Sequence, residues 1–134
     1  MLMTQSIIEK ATEFSRDFEV DPNKGSHETT LERTIDFLHE EVQETMDAIK
    51  CNDPAEIIDG FGDVAFIALN GIYKHFRLAE QTHEQAKEAV MEVMHRICDA
   101  NLGKKQPDGT INYVNGKVQK PSGWTPPAYD DMVA

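Results

Sequence analysis

The 134-residue sequence predicts an all-α fold, a four-helix bundle followed by a small hairpin and an extended C-terminal arm. Three observations predict it. Apolar residues recur at helical spacing through four stretches before Gly103. The last two stretches open on capping patterns, Asp53-Pro54-Ala55-Glu56 and Thr82-His83-Glu84-Gln85. Beyond Gln106 the helical period is lost, and Pro121, Pro126 and Pro127 gather around Trp124. A chain of this length forms one domain with a core of its own, so residues 1–105 read as the bundle and 106–134 as its appendage.

The elements follow in order. Helix one covers Thr4 to Phe18, with Ile7, Ile8, Ala11, Phe14 and Phe18 on one stripe. Val20 to Ser26, holding Asp21-Pro22-Asn23-Lys24-Gly25, is a loop. Helix two covers His27 to Lys50, its core stripe being Leu31, Ile35, Leu38, Val42, Met46 and Ile49. Helix three starts at Pro54, with Asp53 as its cap, and continues to about Phe76. Helix four is capped by Thr82, buries Ala86, Ala89, Val90, Val93, Met94 and Ile97, and stops at Gly103. Ile111 to Val114, Asn115-Gly116 and Lys117 to Gln119 form a hairpin on a type I′ turn. An arm carrying Trp124 and Tyr129 is expected to lie against a body or a neighbouring subunit.

Charge narrows the partners. The chain holds 24 acidic against 13 basic residues, a net charge of -11. That balance argues against a nucleic-acid backbone or an anionic membrane as partner, and an anionic ligand would need a recruited cation. Cys51 and Cys98 are isolated, which fits a reducing cytoplasm. No signal-like start is visible, and the longest apolar run, Val64 to Leu69, is far too short to span a bilayer.

The acids carry the chemistry. Asp63 sits in Phe61-Gly62-Asp63-Val64-Ala65-Phe66-Ile67-Ala68-Leu69, a turn apolar on every side and therefore expected to be buried all round. A carboxylate there loses its hydration unless it is neutralised, paired or bound to a metal. The short link Cys51 to Asp53 folds helices two and three into an antiparallel pair. Counted from a turn at Asn52, Glu41 and Asp63 stand eleven residues out on either side, and Glu44 and Asp59 eight and seven. At about 1.5 Å rise per residue the two pairs lie at matching heights. Spacings of three and four keep each pair on one helix face, so Glu41, Glu44, Asp59 and Asp63 converge on one volume. Oxygen-only donors suit a hard cation, Mg²⁺ or Mn²⁺. Asp36, Glu40 and Asp47 lie opposite the core stripe and read as solvated, while Glu56 completes a helix cap.

Other motifs fail. His39-Glu40-Glu41-Val42-Gln43 lacks the second His of a zinc protease helix, and Gly60-Phe61-Gly62 has no strand before it. With Gly71, those glycines read as sites of close helix approach. Glu92-x-x-His95 is half of a di-iron pattern whose nearest partner is the weak Asp36-x-x-His39.

Glu40-Glu41-x-x-Glu44 followed by Asp63-Val64-x-Phe66 resembles the all-α nucleoside triphosphate pyrophosphohydrolases, which include the MazG-type enzymes, the dimeric dUTPases and phosphoribosyl-ATP pyrophosphohydrolase. The superfamily signature is E-E-x-x-E then E-x-x-D. Gly60 stands where the family has Glu, and Asp59 is the substitute that keeps Asp63's face. Glu56-x-x-Asp59 fits the letters but sets Glu56 opposite Ala48. The segment Cys98 to Lys104 with Pro107-Asp108-Gly109 and Asn115 to Lys120 is similar to small MazG-like members.

The resemblance implies Mg²⁺ held by these acids and a nucleotide substrate. It also implies a homodimer or homotetramer, for which the apolar girth of helix three is an independent reason. Glu41 or Glu44 would accept the proton of the attacking water. Asn101 and Lys104 are the candidate substrate contacts, since a triphosphate needs cations and Lys104, Lys105, Lys117 and Lys120 are the main cluster. The plainer role for Lys104 is to complement the dipole of helix four. Hydrolysis of a (deoxy)nucleoside triphosphate to monophosphate and pyrophosphate is the leading expectation. A di-iron carboxylate bundle and a non-enzymatic acidic binding module remain the alternatives.

Overall fold

The computed structural model describes residues 6–19 and 27–133. Among them run helices α1 (Ile7–Phe14), α2 (His27–Lys50), α3 (Pro54–Leu78) and α4 (His83–Leu102), then strands β1 (Tyr113–Val114) and β2 (Lys117–Val118). The all-α expectation is correct, and the loop expected over Val20 to Ser26 lies outside the described residues. The chain forms two compact units, Met1–Val90 and Met91–Ala134, with the division inside α4.

In the first unit the caps act as their residues dictate. Ser6 accepts from the Glu9 amide at 3.1 Å to open α1, and Asp53 accepts from the Glu56 amide at 3.2 Å to open α3. Thr82 and Gln85 cap α4 reciprocally, at 3.2 and 3.0 Å. Asn52 takes the left-handed conformation (φ 53°), and the Asp53 amide reaches back to the Ala48 carbonyl at 3.0 Å. This closes α2 in a Schellman turn and sends α3 back along it. Glu80 (φ 69°) closes α3 in the same way, with the Gln81 amide on the Phe76 carbonyl. α1 runs on into a π-helical turn, Ser15–Glu19, where Ser15 donates to Glu19 at 2.9 Å.

The face α2 turns to α3 differs from the expected stripe. Thr34, Thr45 and Ala48 are buried, whereas Ile35, Val42, Met46 and Ile49 are exposed in the single chain. The buried threonines satisfy themselves, Thr34 on the Thr30 carbonyl (2.9 Å) and Thr45 on the Glu41 carbonyl (2.6 Å). Small residues let the backbones approach. A methyl group at Gly60 would overlap the Thr45 hydroxyl, and one at Gly71 would just touch Thr34. Gly62 faces open space, so it takes no part in the approach.

The expectation that the Phe61–Leu69 turn is buried all round is corrected for a single chain. Phe61 is 60% exposed, Ala65 and Ala68 are exposed, and Asp63 is half-buried, because α2 covers one side of α3 only. On α4, Ala86, Ala89 and Val90 are buried as expected.

In the second unit, β1 and β2 pair antiparallel with Tyr113 opposite Val118. Asn115 and Gly116 both have positive φ, 53° and 76°, which is the type I′ turn expected. The arm is tied to the end of α4. Trp124 Nε1 donates to the Ala100 carbonyl at 2.7 Å, and Arg96 grips Asp131 through both guanidinium amines at 2.7 and 2.8 Å.

Candidate active site

α2 and α3 set the acids. Because the Asn52 turn aligns Thr45 with Gly60, Glu41 lies one turn further from the connection on α2 and Asp63 nearly one turn further on α3. Both side chains line a pocket of about 380 Å³ in the first unit. Glu41 and Asp63 are half-buried, and Glu44 and Asp59 are exposed beside them.

Electrostatics couple Glu41 to the other three. Partial burial pushes the Glu41 carboxyl above its ordinary range, and the charges of Glu44, Asp63 and Asp59 push it the same way. A hydrogen bond to Glu44 that only protonated Glu41 can donate adds to the rise. Among the described residues no three such side chains close into a metal cage, so the carboxylates share one field without converging to ligand distances. The donor set still fits a divalent cation: it is all oxygen, and its mutual repulsion is what a bound positive charge relieves.

The glycine at 60 now has a reason. A Glu side chain there would drive into Thr45 on the close face of α2. Glu56, which the alternative register would use, is exposed in the first turn of α3 beside its cap, as Asp59 and Glu44 are exposed in theirs.

The far wall of the pocket was not anticipated. Asn70 and Lys74 follow Asp63 at seven and eleven residues on the same face of α3. Lys74 is 3% exposed and donates to Glu19 at 2.6 Å and to Thr34 at 3.1 Å. Asn70 is 1% exposed and donates through Nδ2 to the Phe66 carbonyl at 3.2 Å. The signal that would have found them is the one applied to Asp63, a polar residue interrupting an apolar helix.

Asn101 and Lys104 belong to the second unit. Asn101 donates to the Ile97 carbonyl at 3.0 Å and accepts from the Lys104 ammonium at 2.8 Å. Lys104 and Lys120 both sit over the Trp124 ring, at 5.4 and 4.9 Å from its centre. Of the half di-iron pattern, Glu92 accepts from Arg96 at 2.8 Å and His95 is exposed.

Residues 29–107 match the model of the MazG nucleotide pyrophosphohydrolase domain, over half of the chain. The chain belongs to this MazG family. The match spans α3, α4 and all but the start of α2, and so includes every acid of the cluster together with Asn101 and Lys104. Members of the family typically use divalent metal ions. A search of curated proteins and a search of solved structures returned no match. No described helix of this MazG domain is long and apolar enough to cross a membrane.

Proposed function

We propose that the chain hydrolyses a (deoxy)nucleoside triphosphate to the monophosphate and pyrophosphate with Mg²⁺, or Mn²⁺ in its place. The observation that carries this reading is that Glu41 and Asp63, from two helices of a MazG domain, line one pocket. Glu41, Glu44, Asp59 and Asp63 would hold the cation. A divalent ion bound there supplies positive charge to the phosphate oxygens. Glu41 or Glu44 accepts a proton from the attacking water. Lys104, with Asn101, contacts the phosphates or the sugar.

The working enzyme is a homodimer or homotetramer in which a second copy covers the exposed apolar side of α2 and α3. Residues 106–134 act as an appendage of the same domain. The free Cys51 and Cys98 and the absence of a spanning helix among the described residues fit a cytoplasmic setting.

Demetallated protein tested with Mg²⁺, Mn²⁺ and Fe²⁺ against a panel of nucleotides decides the matter. Pyrophosphate release restored by Mg²⁺ or Mn²⁺ is the expected result. An iron-dependent visible band without pyrophosphate release would overturn it.

A further inference from the structure

The pocket beside the acids runs along one face of α3. Asp63, Phe66, Asn70 and Lys74 line it on successive turns, and Glu41 joins Asp63 at the acidic end. Asn70 stands about 10 Å along the helix axis from Asp63, seven residues at the usual rise. That is comparable to the length of a nucleoside.

The two ends differ in character. At the acidic end carboxylates collect, as a cation and its phosphates require. At the other end the Lys74 charge is balanced by Glu19 at 2.6 Å, so this end offers no spare charge to a phosphate. It offers rings and one unmet acceptor instead. Phe37 and Phe66 line the pocket, and Phe14 meets Phe66 edge-on at 5.3 Å. Asn70 is almost fully buried, yet its Oδ1 has no hydrogen-bond partner among the described residues. The orientation of the amide is set, because reversing it would place Oδ1 against the Phe66 carbonyl that Nδ2 now engages. A buried carbonyl oxygen left unpaired is costly, and natural structures seldom leave one unmet by protein, water or ligand.

We propose that this pocket receives the base of the nucleotide and that Asn70 Oδ1 accepts a hydrogen bond from the base, making Asn70 a specificity-determining residue. A neutral, flat heterocycle stacks on phenylalanine and carries the ring N–H or exocyclic amine that Oδ1 lacks. A pocket that hydrogen-bonds such a group rejects ligands without it far more strongly than an apolar pocket rejects a misfit. The proposal rests on the nucleotide reading above, but it concerns recognition and not the bond that is broken.

The test uses the full chain and two substitutions. Asn70→Thr keeps a donor to the Phe66 carbonyl, as Thr12, Thr34 and Thr45 do at their own i-4 carbonyls, and leaves no acceptor at the Oδ1 position, its hydroxyl oxygen lying one bond nearer the backbone. Asn70→Leu removes both. Binding of the four deoxynucleoside monophosphates and of base-free deoxyribose 5-phosphate is measured by calorimetry, with helicity and melting followed by circular dichroism. Wild type should bind at least one nucleotide more tightly than the base-free compound. In Asn70→Thr that preference should fall about tenfold or more, with affinity for deoxyribose 5-phosphate unchanged. A folded Asn70→Thr with the wild-type preference overturns the proposal. So does a parallel loss of affinity for the base-free compound, or a wild type that prefers no base. Pyrophosphate release is assayed separately. Base preference lost in Asn70→Thr without any pyrophosphate release from wild type would sink the hydrolysis reading and leave the base site standing.

Discussion

At the scale of single residues, Asp63 and Glu41 carry opposite consequences for activity and stability. Asp63→Asn keeps the shape and removes a charge from the acidic end of the pocket. Metal-dependent turnover should fall about a hundredfold or more while the helical circular dichroism spectrum is kept. Asp59→Asn should impair turnover too, whereas Glu56→Gln should touch only the first turn of α3; the reverse ranking would mean that the other register is the working one. Glu41 is raised by burial and by its neighbours' charges. A carboxyl that titrates higher in the folded chain than in the unfolded one holds its proton more firmly when folded. Glu41 therefore costs the metal-free protein stability as pH rises from the ordinary carboxylate range through its folded value, and that penalty persists above it. Glu41→Gln should melt higher than wild type at pH 8, an advantage that disappears at pH 4, in thermal scans with chelator present. Asp63 was legible because one charge in an apolar run is conspicuous. Asn70 and Lys74 interrupt the same helix, yet a neutral amide and a long amphipathic chain attract less notice, and Lys74's partner Glu19 lies 55 residues away in sequence.

At the scale of elements, the close contact of α2 with α3 positions both acids. Gly60→Ala gains helix propensity but forces a methyl group onto Thr45, and the overpacking should win, lowering stability by about 1–3 kcal/mol in denaturant titration. Adding Thr45→Ala removes the hydroxyl and methyl that collide and should recover part of the loss, so the two substitutions should be non-additive. Simple additivity would show that the helices do not meet there. Caps and turns were legible because they are local: Asp53, Thr82 and Asn115-Gly116 act on amides within a few residues. Which face of α2 meets α3 was not legible, since threonines that bond their own helix look polar in sequence and pack like small apolar residues. The end of α4 poses a similar choice. Lys104 is held between Asn101 and the Trp124 ring. If it serves the triphosphate, Lys104→Ala should raise KM several-fold with metal affinity unchanged. If KM and kcat both survive, the lysine serves the arm.

At the scale of the whole molecule, the apolar stripe of α2 needs a partner. Ile35, Val42, Met46 and Ile49 follow one another at helical spacing, and all are exposed in one chain, as are Ile58 and Phe61 on α3. Four of the six residues that the sequence marks as the core stripe of α2 are thus exposed in one chain, so periodicity marked an apolar face but not a surface that covers it. A contiguous apolar face of this kind is unusual on a monomer and normal at an obligate interface, where about 800 Å² or more is buried per partner. The geometry of α2 explains the division of labour. Its small face, Thr34, Thr45 and Ala48, is spent on close approach to α3 and leaves no room for large side chains, which turn outward and are exposed in one chain. Sedimentation at micromolar concentration should therefore give a species of at least twice the 15.1 kDa chain mass. Met46→Glu should shift it toward the monomer, because a carboxylate in the middle of the stripe loses its hydration on association. Met46 does not line the acidic pocket but stands two residues from Glu44, so activity is read against the monomer fraction to separate assembly from chemistry. Loss of activity that tracks the monomer fraction in Met46→Glu would mean that the site depends on the second copy. A wild-type chain that sediments at 15.1 kDa would leave the outward stripe without a partner and refute the assembly.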